Sequence, residues 1–257
     1  MRLRISRSIA LALALTLGAR CASAAFVDTG IHAVATATAV VNTSATPATL
    51  VGTSVGQLAV VGVAWSRAGI TANTTVSDGS NTYTRVIQQY TDPECASLFY
   101  SVLTTGGTLN VQASANGTNS ADFAVMARVF SNPNATPVSG TALGAAGTST
   151  APDSGAFTAA DNDALYVSVA GATTTSATTE NQTPGDTNWS LSDENNTNTD
   201  GSMVFKILVG APASRRSTWL LGSSAAWATV IGAFKPVASG AACTPTLTLL
   251  GVGRCGD

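Results

Sequence analysis

The chemistry that this sequence could carry begins with a Gly-x-Ser-x-Gly pattern. Gly52–Gly56 matches the turn that presents the nucleophilic serine of serine hydrolases. That chemistry needs a histidine base, which follows the serine along the chain in that fold. The only histidine, His32, precedes the pattern, and it is expected on the surface of the first strand without the partners of a zinc site. Gly52–Gly56 is therefore interpreted as a turn before a strand.

A second glycine pattern lies near the end of the chain. Gly251–Gly256 matches the Gly-x-Gly-x-x-Gly fingerprint of dinucleotide-binding folds, in which a helix follows the glycines and binds the pyrophosphate. Only Asp257 follows this match, so we interpret it as accidental. No cofactor is predicted.

Carboxylates are the remaining candidates for catalysis or metal binding. Asp161 and Asp163 could give oxygen ligands to calcium, but no twelve-residue loop with a terminal bidentate glutamate accompanies them, and Asp and Asn before a strand are typical of a turn. Glycoside cleavage needs two carboxyl groups at a defined separation. The three glutamates, Glu94, Glu180 and Glu194, are all expected in loops. The sequence predicts no catalytic site and no metal site, which favours a protein that is not an enzyme.

Aromatic rings are the best candidates for a ligand surface. A Trp ring can stack on a sugar, but Trp is also the largest residue that fills a core. Trp65 and Trp227 lie on apolar runs and are predicted core residues, whereas Trp189 lies in a polar stretch. Tyr83 occupies the place in a first predicted hairpin that Trp189 holds in a second. Tyr83 and Trp189 are the candidate ligand-binding residues, with a structural role at the hairpin base as the alternative.

The N-terminal segment has the order of a secretory signal peptide. A basic start is followed by the short apolar run Ile9–Leu17 and by the small-x-small cleavage site Ala22–Ala24. We predict that residues 1–24 are removed and that the protein is secreted or periplasmic. Cys21 suggests a lipoprotein box, but Arg20 stands where such a box needs a small residue, so no lipid anchor is expected. No transmembrane segment is expected in the mature chain.

Cysteines beyond the signal peptide lie in a compartment where disulfides persist. Cys243 and Cys255 flank a short loop, and we predict that a disulfide between them closes the tail at 238–257. Cys95 is then the odd cysteine, either a buried thiol or an intermolecular handle.

Composition excludes one large class of partner. Only 10% of the 257 residues are charged, the formal net charge is −2, and Lys206 and Lys235 are the only lysines. A surface that follows a phosphate backbone needs many cations. We expect no nucleic-acid binding.

The elements that must position these residues are short strands separated by Gly, Asn, Asp and Pro turns. Leu58–Trp65 is an apolar run of strand length, as expected for a strand covered on both faces. Val76–Val86 has turn residues at its centre and strand formers on both sides, which predicts a hairpin.

One order of segments occurs twice. Val61 matches Val167 at an offset of 106, and other matches have offsets of 104 to 107, namely Asn81 with Asn188, Ser97 with Ser202, Ala124 with Ala228 and Phe130 with Phe234. A half-sheet with one apolar face is not stable alone in water. We therefore expect the two halves to pack against each other in a single sandwich.

The predicted fold is all-β, a two-sheet antiparallel β-sandwich, jelly-roll-like and built from two similar halves. Residues 25–237 are expected to form one domain. Its first half spans about 45–131 and its second about 156–236, with a Gly/Ala/Thr/Pro-rich connection at 132–155.

Several segments of residues 45–236 carry a resemblance, namely Thr75–Val86, Ser97–Ser101, Gly106–Val111 and Ala226–Lys235. The chain resembles a large group of jelly-roll-like β-sandwich proteins that occur among exported bacterial proteins and phage structural proteins, mostly uncharacterised. At the hairpin, family members commonly read Asp-Ser-x-Gly-Asn-Thr-Tyr, whereas this chain has the shorter Asp78–Tyr83. The resemblance implies the fold rather than an activity.

These observations favour a non-enzymatic exported module with a structural, adhesive or surface-associated role. Its expected contacts are a glycan, a cell-surface or extracellular protein, or further copies of itself. The first alternative is a carbohydrate-binding or carbohydrate-active protein, because jelly rolls often present a sheet to sugars. The second is a phage-derived virion component, which the export signal counts against.

Overall fold

The computed structural model describes residues 25–39, 47–66, 74–115, 121–173, 189–195 and 200–237, and within these ranges the chain forms strands, turns and loops without a helix. The predicted all-β class is confirmed. The strands are β1 (Val27–Ala39), β2 (Ala48–Thr53), β3 (Leu58–Ser66), β4 (Thr74–Ser77), β5 (Thr84–Thr91), β6 (Glu94–Val102), β7 (Gly107–Ala115), β8 (Ala121–Ser131), β9 (Pro133–Val138), β10 (Leu143–Ser149), β11 (Phe157–Thr158), β12 (Leu165–Ala172), β13 (Ser190–Asn195), β14 (Asp200–Ile207), β15 (Ser214–Arg215) and β16 (Ala225–Pro236).

Two large antiparallel sheets face each other. The first large sheet has the strand order β1-β8-β3-β6-β5, and the second has the order β10-β16-β12-β14-β13, with β9 also paired to β16. A small sheet, β2-β7-β4, covers the outer face of the first large sheet, and the pair β11-β15 packs on the outer face of the second. The predicted two-sheet sandwich is confirmed, and each large sheet has an outer layer in addition.

The sequence run that forms β3 lacks polar alternation because this strand is covered on both faces. Its residues Ala59, Val61, Val63 and Trp65 belong to the core under the small sheet, which we call the first outer core. Leu58, Val60 and Ala64 point the other way, into the core between the large sheets, which we call the inter-sheet core. A strand that is covered on both faces loses the polar alternation of a half-exposed strand.

The two large sheets repeat one topology. The orders β1-β8-β3-β6-β5 and β10-β16-β12-β14-β13 become identical when β1, β3, β5, β6 and β8 are matched with β10, β12, β13, β14 and β16. The ladder between β5 and β6 is irregular between Arg85 and Ile87, and the ladder between β13 and β14 is irregular at the equivalent place, between Leu191 and Asp193. Bulges are positioned features of a sheet. Their shared position therefore supports the predicted similarity of the halves.

The ladders correct one detail of the repeat. Leu58 pairs with Val102 and Phe130 in the first large sheet, and Leu165 pairs with Ile207 and Phe234 in the second. Equivalent residues of β3 and β12 are therefore 107 apart, not 106.

This one-residue shift changes which side chains are equivalent. The match of Val61 with Val167 is wrong, because Val61 lies in the first outer core whereas Val167 lies in the inter-sheet core. Both strands are apolar at almost every position, so hydrophobic alternation did not define their alignment.

The segment expected to connect the halves also differs from its prediction. Residues 132–155 contain β9 and β10, both of which pair with β16. The small residues of β10 are needed because larger side chains would collide with neighbouring strands, and not because the segment is a loop. A Cβ at Gly144 would lie 2.8 Å from the Cβ of Gln89, and one at Gly147 would lie 3.1 Å from the Trp227 ring.

Aromatic rings fill the inter-sheet core at one end of the sandwich. Phe130 packs edge-on against Phe205 with ring centroids 5.3 Å apart, and Tyr100 packs edge-on against Phe234 at 5.7 Å. The strand equivalences map Phe130 onto Phe234 and Tyr100 onto Phe205, so the two contacts are copies of each other. Each contact joins one half to the other.

Small residues occupy the other end of the same strands. Ala64 and Ala124 pair across the first large sheet, and Gly171 and Gly201 pair across the second. A Cβ on Gly201 would lie 2.6 Å from the Cβ of Ala124, which is closer than real carbon contacts allow. The large sheets approach each other here as closely as their backbones permit.

An ion pair closes one flank of the inter-sheet core. Arg128 of β8 donates to both carboxylate oxygens of Asp28, at 3.0 and 2.6 Å, and its guanidinium lies 4.6 Å from the centroid of the Phe205 ring. Burial alone would raise the pKa of Asp28. Hydrogen bonds from Arg128 and from the Gly30 amide together lower it by more, so the pKa lies below its ordinary value.

Asp28→Asn should lower the free energy of unfolding by about 1–2 kcal/mol at neutral pH, because a partly exposed charge-assisted pair is lost. The pKa of Asp28 is lower in the folded state. Its contribution is therefore complete above the unfolded pKa and disappears as the pH falls through the folded pKa. Urea unfolding of both proteins at neutral and at strongly acidic pH tests this. If the free energies of unfolding of the wild-type protein and of Asp28→Asn differed equally at both pH values, the prediction would be contradicted.

Candidate functional site

Tyr83, the first predicted ligand-binding residue, is part of a hydrogen-bonded turn. Its hydroxyl donates to Oδ2 of Asp78 at 3.1 Å, and its ring packs against the first outer core. The other oxygen of Asp78 accepts from the backbone amides of Ser80 and Asn81 at 2.8 and 2.7 Å. Burial and the Asp78 carboxylate both raise the pKa of the Tyr83 hydroxyl. The ring and its hydroxyl thus stabilise this turn. The predicted hairpin is wrong, however, because β4 pairs with β7 in the small sheet whereas β5 pairs with β6 in the first large sheet, so the turn joins two sheets.

Trp189, the second predicted residue, lies at the equivalent place in the other half. Its ring is only 8% exposed and belongs to the core on the outer face of the second large sheet, which we call the second outer core. The two outer cores lie on opposite sides of the sandwich, so Tyr83 and Trp189 do not line one common surface. The second hairpin, from Asp186 to Asn188, lies outside the described residues.

Asp161 and Asp163 form the turn that the sequence predicts. Asp161 accepts a hydrogen bond from the Ser139 hydroxyl at 2.8 Å, and Asp163 accepts one from the Gly210 amide at 2.6 Å. Asp163 has a φ of 56°, a left-handed conformation that Asp tolerates in turns. Across the ranges that the structure describes, no three His, Cys, Asp or Glu side chains are grouped as metal ligands.

Glu94 differs from its prediction. It was expected in a loop, but it is the first residue of β6 and is fully buried. The turn between β5 and β6 consists of only Asp92 and Pro93, so the strand begins earlier than the polar sequence indicated. Oε1 of Glu94 accepts a hydrogen bond from the Thr173 hydroxyl at 2.9 Å. Glu94 therefore links the two halves.

Cys95, the neighbour of Glu94, is a buried thiol. This confirms the first of the two alternatives predicted for it. Its Sγ lies 3.8 Å from the Ser97 hydroxyl. Burial raises the pKa of the thiol to about 12, so it stays protonated and unreactive at neutral pH. Cys243 and Cys255 lie outside the described residues, and their disulfide stays a prediction.

An open cleft on the second half is a candidate site that the sequence patterns did not indicate. Two extended segments, 150–154 and 217–221, pair through backbone hydrogen bonds such as that from the Trp219 amide to the Pro152 carbonyl, at 3.0 Å. The cleft has a volume of about 420 Å³, within the range of small-ligand sites. Its lining consists of Ala151, Pro152, Asp153, Arg216, Thr218, Trp219 and Leu220.

A charged pair and an apolar wall give this cleft its chemical character. Arg216 donates through Nε to Oδ1 of Asp153 at 2.8 Å and through a second nitrogen to Oδ2. These hydrogen bonds lower the pKa of Asp153, so the carboxylate stays ionised near neutral pH. Leu220 is half exposed beside the pair, and the indole N–H of Trp219 has no acceptor among the described residues.

This arrangement is suited to binding. A fixed carboxylate–guanidinium pair beside an apolar surface suits a ligand with hydroxyl groups and one apolar face, such as a sugar ring. The adjacent arginines Arg215 and Arg216 stand out in a chain where charged residues are scarce, but they do not indicate Asp153 as a partner or a cleft between two distant segments.

Comparison with protein-family models, with curated proteins and with solved structures returns no match for this chain. The described residues contain no helix long and apolar enough to cross a membrane.

Proposed function

We propose that the protein is an exported, non-enzymatic β-sandwich module with a structural, adhesive or surface-associated role. The supporting observation is that one sheet topology occurs twice and the two copies pack into a single body. Such a body is a stable scaffold, and each of its large sheets carries an outer layer of its own. The order of basic, apolar and small residues in 1–24 supports export.

The roles of the polar side chains agree with this proposal. Asp78 and Tyr83 stabilise a turn, Glu94 joins the halves, and the Cys95 thiol is buried and protonated. These groups, which could otherwise serve acid, base or nucleophile chemistry, thus take part in contacts within the fold. The resemblance of residues 45–236 to exported and phage-associated sandwiches also favours a module of this kind.

The alternative is a carbohydrate-binding or carbohydrate-active protein, and the cleft beside Arg216 favours it. The ion pair with Asp153 holds the guanidinium in place, and Leu220 offers an apolar surface next to it. The ligand would be a glycan whose hydroxyl groups hydrogen-bond the pair.

A glycan array distinguishes the two functions. Mature protein, exported with its own leader and beginning at Ala25, is applied to immobilised glycans, and both retained protein and released sugar are measured. We expect no released sugar and no retention that depends on the cleft. Released sugar would contradict the non-enzymatic proposal.

Matched variants identify the cleft. Retention that is lost in Arg216→Ala but kept in Arg85→Ala, which removes an exposed arginine from β5 of the other half, would establish the carbohydrate-binding alternative. If the glycan binds in this cleft, Arg216→Ala should weaken its affinity at least about tenfold, because the variant loses the hydrogen bonds of the guanidinium.

A further inference from the structure

The first residues expected in the mature protein are part of the folded domain. Phe26, the second residue after the cleavage site expected at Ala24, is only 3% exposed and belongs to the inter-sheet core. Its ring packs edge-on against Phe130 of β8, with ring centroids 6.5 Å apart. Strand β1 begins at the next residue, Val27, which pairs with Ser131 of β8. The fold therefore begins within two residues of the expected cleavage site.

Asn132 attaches the backbone even closer to that site. It is the one residue between β8 and β9, and its Nδ2 donates to the carbonyl of Ala25 at 3.1 Å. The backbone carbonyl of Asn132 accepts a hydrogen bond from the amide of Val237, which directly follows β16, at 2.8 Å. The carbonyl of the first mature residue is thus bound to a turn that also holds the end of β16.

The start of β1 has two further anchors to β8. The Thr29 hydroxyl donates to the carbonyl of Val129 at 2.7 Å, and the carboxylate of Asp28 is paired with the guanidinium of Arg128. The segment from Ala25 onward is therefore attached by side-chain, backbone and charged contacts.

A peptidase cleaves a chain whose residues on both sides of the scissile bond are extended and accessible, so burial and hydrogen bonding of those residues oppose cleavage. In the folded domain, access to this bond requires that Phe26 leave the inter-sheet core and that Ala25 leave Asn132. Cleavage of a folded chain is then limited to the fraction of molecules in which the segment is open. Burial of one phenylalanine side chain lowers such a fraction by about tenfold or more.

We infer that the leader is removed before this domain folds, and that folding protects the bond between residues 24 and 25. The chain therefore reaches the peptidase unfolded, and its two halves pack together only after cleavage. This inference rests on the export proposed above and adds to it the order of two events, cleavage first and folding second.

The experiment uses the full chain with its leader, diluted from denaturant into nonionic detergent micelles, and a signal peptidase that cleaves after small-x-small motifs. The rate of cleavage after Ala24 is compared for the wild-type chain and for Val167→Asp, whose charge in the inter-sheet core should prevent folding. Val209→Asp is the control, because it adds the same charge at a position that is 80% exposed. Circular dichroism reports which chains are folded. We expect Val167→Asp to be cleaved about tenfold or more faster than the other two chains.

Phe26→Ala tests the same inference in a chain that is not disrupted elsewhere. Without the ring, the first residues open more often, so this precursor should be cleaved about tenfold faster than the wild-type precursor. The substitution lies beside the scissile bond and also alters the sequence that the peptidase recognises. It is therefore repeated in Val167→Asp, where the rates with and without it measure recognition alone.

Equal rates for the wild-type, Val167→Asp and Val209→Asp precursors would overturn the inference, although cleavage after Ala24 would still support export. A rate increase for Phe26→Ala that is equally large in the Val167→Asp background would also overturn it. If no chain were cleaved after Ala24, the proposed leader would be refuted together with the inference. The failure of the inference alone is thus distinguishable from the failure of the proposed export.

Discussion

Val167→Asp should prevent cooperative folding of the whole chain. Val167 is 1% exposed in the inter-sheet core, where side chains of both halves meet. An aspartate there is a buried charge without a partner, which costs about 4–5 kcal/mol or more, close to the entire stability of many domains. The inter-sheet core is formed by residues of both halves. When this core is disrupted, the inner face of each large sheet is exposed to water, so neither half is stable alone. Soluble yield and far-ultraviolet circular dichroism should both collapse.

Two further variants make this prediction quantitative. Val167→Ala should fold and lose about 1–3 kcal/mol, measured by urea unfolding. Val209→Asp is the control, because Val209 is 80% exposed and the same charge should change stability by less than about 0.5 kcal/mol there. Tryptophan fluorescence and circular dichroism should report one common transition. A variant in which one half keeps its own cooperative transition would contradict a shared core.

The fold class could be predicted because its signals are local. The continuous apolar run of β3 predicted a strand covered on both faces, and Trp65 is fully buried there as expected. The turn residues of Asp78–Tyr83 predicted a turn, and hydrogen bonds to Asp78 hold it. The hairpin expected around this turn is absent, because β4 and β5 lie in different sheets. Side-chain period and turn chemistry act over a few residues, so a single sequence carries them.

The alignment of the halves could be predicted only to within one residue. Val61 and Val167 look alike in sequence, yet they face different cores. Strands that are buried on both faces carry no polar side chain to mark the outer face, and a shift of one residue exchanges the two faces. Only the ladder partners, such as Phe130 for Leu58 and Phe234 for Leu165, define the equivalence.

The candidate cleft could not be predicted because its residues meet only through the fold. Asp153 and Arg216 are 63 residues apart in the chain, and the pairing of two extended segments brings them together. Glu94 illustrates the reverse error. A glutamate beside a proline is typical of a loop, but here a two-residue turn places it at the start of a buried strand, where the Thr173 hydroxyl donates to it.

Gly201→Ala should destabilise the protein by about 1–3 kcal/mol, although alanine is the smallest change possible. The new methyl group would lie 2.6 Å from the Cβ of Ala124 and 3.1 Å from the Cβ of Ala64. Both are alanines whose Cβ atoms are fixed by the backbone, so a large sheet must move to admit the methyl group. Urea unfolding of the variant measures the cost.

The double variant Gly201→Ala with Ala124→Gly identifies the cause. It restores the original number of methyl groups at the contact, so its loss of stability should be smaller than the sum of the two single losses by about 1 kcal/mol or more. If Gly201→Ala destabilised β14 for a reason other than the contact with Ala124, the Ala124→Gly substitution would not reduce that destabilisation, and the two losses of stability would be additive. Additive losses would therefore show that the large sheets do not meet at Gly201, and the close approach of the two halves at this end of the sandwich would have to be abandoned.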